Sequence, residues 1–452
     1  MQSRLSESEP SRNRSIAKSL LASLFLIGIA GRLVLFVNAP SFAGYYFDEC
    51  WPPFQIIIAE HRLPLPEECW QCYQPPLFYL VSAASVETSN WFGIRAELSL
   101  WSPMLINLFL SFGIVALIFV TLDRFVDRRS THFWIGLALA SLVPKLFINS
   151  AALNLDVPVN LLLGISMVSL ILGLDRGRFG WMMAVCGLSA GLAMATKYTG
   201  LIAVVVLSIM VLVEVTRARS LRDHRVGALL AALGIALLLG SSVYLRNWVV
   251  VGHVMPGNES NAASFGLGAT GHQRVRPDFF EFKLGELVRY PFQESAVPAL
   301  NRQAVYRSPL TGFFGMFWSD LGFFSKEGVS PHHFFPPKRL PPLLTSAIFI
   351  LGVPAIAIAG FGMLAGRSSA MLPLHLYTLV QLVLAAAYRF GGGPWFLKFS
   401  YSLMLVIPFG LYLALGCAAI QRRFPKLGRA AIWTLASQAM LCCAYNLIFA
   451  AT

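Results

Sequence analysis

Apolar runs of 17–25 residues recur along this chain, each long enough to cross the ~30 Å hydrocarbon core of a bilayer as a helix. Eleven can be drawn: 17–37, 98–121, 131–149, 157–174, 181–197, 199–215, 227–247, 343–365, 370–388, 401–419 and 430–449. Soluble cores could not hide them. Of 452 residues, 56% are hydrophobic and only 13% charged, against about 25% charged in an average soluble domain. The same figures exclude collagen, coiled coil and disorder. The expected fold class is an all-α polytopic membrane protein with about 11 transmembrane helices. The first run is too long for the apolar part of a cleavable signal peptide. Runs 181–197 and 199–215 are separated by almost nothing and should form a tight hairpin.

Net charge is +13. In a soluble protein that would suggest a nucleic-acid partner; here its placement explains it. Basic residues gather in alternate loops: Arg4, Arg12, Arg14 and Lys18; Arg124, Arg128 and Arg129; Arg176 and Arg178; Arg217 to Arg225; Arg367; Arg422 to Arg429. Cytoplasmic loops carry such an excess. The N-terminus is therefore expected in the cytoplasm, the C-terminus outside, and no nucleic acid is implied. The chain divides into a basic cytoplasmic tail (1–16), a transmembrane catalytic core (17–248) with a first outer loop at 38–97, an extracytoplasmic region (249–341) and C-terminal transmembrane helices (342–452).

In the first outer loop, apolar stretches at 53–59 and 77–86 are too short to span and should form interfacial helices. In the mixed segment 249–341, the pairs Phe313-Phe314 and Phe323-Phe324 with Trp318 fit either contact with lipid or a small packed cap.

Several residues carry chemistry. Tyr46-Phe47-Asp48-Glu49 sets two carboxylates among aromatics at the outer face, where partial desolvation raises proton affinity and suits a general base; an exposed acidic loop is the bland alternative. Tyr73-Gln74-Pro75-Pro76-Leu77-Phe78-Tyr79 enters an apolar helix through two prolines. Asp156, at the outer start of the fourth run, could cap that helix, bind substrate, or both. Arg32, Lys145, Lys197, Arg246, Arg389 and Lys398 lie near the outer ends of runs, and Arg95 precedes the second. Ionisable groups beside hydrocarbon are costly and usually functional. Collected around one cavity they would bind phosphate; singly, they would snorkel. Cys69-Trp70-Gln71-Cys72 is expected to form a disulfide among Cys50, Cys69 and Cys72. Zinc held with Cys50 and His61 is the weaker reading.

The order of these pieces resembles a known family. It runs from Arg32 through Asp48-Glu49, Gln74 to Tyr79, Phe92 to Ala96, Asn154 to Pro158, Thr196 to Gly200 and Leu245 to Trp248, to Lys398 to Pro408. It is similar to membrane glycosyltransferases of the GT-C fold, in the branch joining protein O-mannosyltransferases and lipid A aminoarabinose transferases. The resemblance covers residues 16 to 420. It implies a polyprenyl-phosphate sugar donor, a lipid, glycan or protein acceptor, and inverting transfer at the outer face of a multi-pass protein, in a bacterial plasma membrane. By the same resemblance Asp48 is the base, Glu49 its partner and Asp156 a second acidic position. Arg32, Lys197, Arg246 and Lys398 would hold the donor phosphate, with Tyr46, Gln74, Tyr79 and Arg95 as loop contacts. Gln74 replaces a common His, and Ser400-Tyr401 replaces a basic-aromatic pair. No cofactor follows, and a divalent metal stays open. A transporter or flippase of a lipid-linked sugar is the rival reading. It would share the spans and cations without needing the Asp-Glu pair.

Overall fold

The computed structural model describes residues 12–38, 47–69, 72–99, 101–176, 179–218, 223–255, 281–289, 309–319, 341–366, 368–390 and 399–451. Among these every regular element is helical. In chain order they are α1 (Arg12–Asn38), α2 (Phe47–Glu60), α3 (Leu77–Trp91), α4 (Ala96–Ser99), α5 (Trp101–Phe125), α6 (Thr131–Ser141), α7 (Pro144–Asn149), α8 (Asp156–Arg176), α9 (Phe179–Thr196), α10 (Leu201–Ala218) and α11 (His224–Val251). After them come α12 (Leu284–Arg289), α13 (Pro309–Trp318), α14 (Pro342–Ala365), α15 (Leu372–Phe390), α16 (Val406–Arg423) and α17 (Pro425–Ala451).

Eight helices among the described residues are long and apolar enough to cross a membrane: α1, α5, α8, α10, α11, α14, α16 and α17. The chain is an integral membrane protein with an all-helical fold. Two further runs are the shorter apolar helices Gly180–Thr196 and Ser369–Leu384. The run 131–149, expected as one span, is two pieces. Pro144 lacks the N–H that would continue the ladder, so α6 ends at Ser141 and the six-residue α7 begins at Pro144.

Burial sorts the bundle. In α16, 83% of the apolar window is covered by protein, and in α8 72%, against 28% in α11. The first two are central; α11 leaves much of its surface to lipid. α16 packs on α14, α6 and α5, while α1 lies along α17 and α6. At the α14–α16 crossing a Cβ on Gly362 would stand 1.8 Å from the Tyr412 carbonyl oxygen, and one on Gly416 2.1 Å from that of Ile358. Small residues let membrane helices approach this closely.

The expected hairpin of α9 and α10 is only a tight turn. α9 lays its length against α8 and α11 and touches α10 slightly, because its apolar surface is used by those two neighbours. The short stretches near 53–59 and 77–86 are the helices α2 and α3, as expected, packed on each other. At the end of α13, Phe317 and Trp318 stack edge-on against Phe409 of α16, with ring centroids 4.9 and 5.9 Å apart. Trp318 is fully buried, so here the packed cap describes the aromatics. Phe323-Phe324 lie outside the described residues.

Candidate functional site

α9 stops at Thr196. Lys197 is extended (φ −159°, ψ 150°) before a single 3-10 turn, Tyr198–Gly200. That turn folds against its own helix: a Cβ at Gly200 would meet the Ala193 carbonyl carbon at 2.2 Å. Lys197 thereby projects to the first turn of α8, where its Nζ lies 2.5 Å from Asp156 Oδ1. Both side chains are buried. Two charges leave water at a cost of several kcal/mol each, which the pairing offsets.

Asp156 is held from behind by amides. Asn154 caps the start of α8: its Oδ1 accepts from the N–H of Asp156 and of Val157, both at 3.0 Å. Asn154 Nδ2 donates to Asn149 Oδ1, and Asn107 Nδ2 donates to the carbonyls of Ala152 and Asn154. Asn160 Nδ2 donates to the Asp156 carbonyl, and its Oδ1 accepts from the N–H of Met404. Non-helical backbone at membrane depth must be satisfied inside the protein, and these asparagines satisfy the buried segment 150–155. Apart from Asn154, which opens the 154–158 motif, they were not singled out in the sequence. Asn107 and Asn160 inside apolar runs are the signal that was there, since an amide in hydrocarbon needs a partner.

The residue after Lys197 joins the pair to the first outer loop. Tyr198 N–H points at Gln74 Oε1 at 3.5 Å, and Tyr198 Oη donates to the Tyr73 carbonyl at 2.8 Å. Asn247 of α11 donates to Tyr198 Oη at 3.2 Å. Arg246 gives Nη2 to the carbonyls of Pro64 at 3.1 Å and Leu63 at 3.5 Å. The loop is also closed on itself. Cys69 and Cys72 are disulfide-bonded, as expected, which removes the thiolates a zinc site would need. Arg62 spans Glu60 and Glu68, and Glu68 Oε2 accepts from the Leu65 N–H at 2.7 Å. Arg62, then burial offset by the Leu65 N–H and Arg246, leave the Glu68 carboxyl below its ordinary range.

Other candidates fall differently. Arg32 is fully buried. Its guanidinium donates to the carbonyls of Gly28 and Ser141 and lies over the Phe147 ring, so it braces the break after α6. Arg95 is exposed at the start of α4. Tyr79, on α3, is fully buried. Gln74 and Lys145 are buried as well. Asp48 and Glu49 lie in the first turn of α2; their side chains, those of Cys50 and Arg389, and all of Tyr46 and Lys398, lie outside the described residues. Glu214 is buried and pairs with Arg217 at 2.9 Å. Among the described residues no three His, Cys, Asp or Glu side chains gather as a metal site would need.

Residues 89–244 match the family model described as dolichyl-phosphate-mannose-protein mannosyltransferase. No curated protein sequence matches the chain. ArnT from Cupriavidus metallidurans bound to undecaprenyl phosphate is similar at 16% identity and a TM-score of 0.40, over 93% of this chain and 78% of that one. The Archaeoglobus fulgidus oligosaccharyltransferase is 15% identical, with a TM-score of 0.45, over 95% of this chain and 55% of that one. The stretch matched by the family model contains Asp156, Lys197 and Tyr198, and the resemblance to GT-C membrane glycosyltransferases read from the motifs stands on it.

Proposed function

We propose that this chain is a membrane glycosyltransferase that moves a sugar from a polyprenyl-phosphate donor to a lipid, glycan or protein acceptor on the extracytoplasmic side of a bacterial plasma membrane. The observation that carries this reading is the buried Asp156–Lys197 pair, assembled from residues 41 apart within the matched stretch and joined through Tyr198 to the outer loop. A buried ion pair is weak evidence for stability, so its presence at a helix junction favours a working role.

In the proposed reaction the acceptor O–H gives its proton to the Asp48 carboxylate as the oxygen attacks the anomeric carbon. The bond from that carbon to the phosphate oxygen breaks, with inversion. Negative charge grows on the lipid phosphate, and preplaced cations stabilise it. Lys197 supplies one, its ammonium held in place by Asp156. Arg246 and Lys398 are the others proposed. Glu49 orients Asp48 or the acceptor, and Gln74 borders the site. The apolar surface of α11 gives a lipid-linked donor a lateral approach.

The deciding experiment incubates the purified chain with a panel of polyprenyl-phosphate sugars and candidate acceptors. Acceptor-dependent loss of sugar from one donor is expected; flipping of donors between leaflets without transfer would favour the transporter. A reporter fused after Arg178 should read cytoplasmic and one near Asn261 external. The reverse would put the site on the wrong side.

A further inference from the structure

The described parts of the first outer loop on either side of its disulfide, 62–69 and 72–74, are each fastened to helices far away in sequence. In the first part, the carbonyls of Leu63 and Pro64 are gripped by Arg246 of α11. In the second, Tyr198 takes the Tyr73 carbonyl and faces Gln74. Between these points the Cys69–Cys72 disulfide closes the segment, and both cysteines are buried. Adjacent residues, Arg246 and Asn247, serve the two ends, since Asn247 bonds Tyr198 Oη. A guanidinium is suited to holding two acceptors at once.

We propose that Tyr198 and Arg246, the latter in addition to the charge proposed for it above, latch this disulfide-linked loop beside the Asp156–Lys197 pair, and that the disulfide sets the shape the latch can grip. The latch itself is independent of the glycosyl-transfer reading; only its consequence for donor use rests on that reading. An opened latch would loosen the turn that aims Lys197.

The burial of both sulfurs supplies a reporter. A dithiol reductant attacks only an accessible sulfur. Its thiolate forms a mixed disulfide and then closes to its own disulfide, giving up two electrons and two protons that convert Cys69 and Cys72 to thiols. The rate of reduction in the intact, detergent-solubilised chain therefore reads how often the segment lifts. Arg246→Met and Tyr198→Phe should each speed reduction by dithiothreitol roughly ten-fold, the effect of about 1.4 kcal/mol of lost docking. Arg246→Lys, which keeps charge but not the fork, should fall between. Hydrogen exchange across 61–76 and 195–202 should rise together in these variants and in Cys69→Ser/Cys72→Ser. Exchange in α16 should not change, which separates unlatching from unfolding. Wild-type reduction rates in Arg246→Met and Tyr198→Phe would overturn the latch, as would exchange at 195–202 that ignores the loss of the disulfide. If no sugar transfer is found but exchange responds as stated, the latch stands and the proposed reaction falls. If transfer is found and exchange does not respond, only the latch falls.

Discussion

Lys197 Nζ lies 2.5 Å from Asp156 Oδ1, although one residue follows the end of α9 and the other opens α8. Neither side chain is open to water, and the pairing offsets part of the cost of burying them. Removing one partner strands a buried charge, which costs about 3–5 kcal/mol. Lys197→Met and Asp156→Leu should each lower the thermal midpoint in detergent sharply, and the double variant should recover much of the loss. Two additive losses would show that the pair does not couple.

Arg32 and Asn446 serve the same helix break. Arg32 takes the Ser141 carbonyl and Asn446 Nδ2 the Leu142 carbonyl at 3.0 Å, two acceptors left without helical donors ahead of Pro144. Hydrogen bonds from charged groups contribute about 1.5–3 kcal/mol. Arg32→Met should therefore destabilise by about that amount, and Asn446→Leu by about 1–3 kcal/mol for an orphaned carbonyl. Binding of polyprenyl phosphate by the folded fraction of Arg32→Met should match the wild type. A stable Arg32→Met with lost binding would instead give the residue a part in the phosphate site.

Acid should loosen the first outer loop. Glu68 has its folded-state proton affinity lowered, chiefly by Arg62. A lowered folded pKa gives stabilisation that is present above the unfolded carboxyl value of about 4.3 and is lost as pH falls through the folded value. The contribution is modest, because the pair is largely at the surface. The midpoint difference between wild type and Glu68→Gln should be constant near neutrality and shrink to nothing below both values. A difference that persists in strong acid would mean that the substitution acts through packing.

Asp48 is the proposed base. Asp48→Asn keeps the size and removes the basicity, so transfer should fall by about 10²–10⁴-fold, with donor binding little changed. Turnover lost in Glu49→Gln but kept in Asp48→Asn would exchange the two roles. Turnover kept in both would move the search for a base away from α2.

The chain's own order of residues determined the class of fold. Apolar run length sets which helices can cross a bilayer, and both properties are local and additive. The helix break at Pro144 was legible in principle too, since a proline's missing N–H is a local fact; the 19-residue run concealed it. Which cations meet which acceptors was not legible. Arg32, Lys197 and Arg246 look alike in sequence, each a basic residue near the end of an apolar run. Tertiary packing sent one to helix carbonyls, one to a carboxylate and one to a loop. A buried charge takes whichever partner the crossing of helices brings within about 3 Å, and crossings depend on contacts such as Gly362 on Tyr412 and Gly416 on Ile358, which lie outside any local pattern.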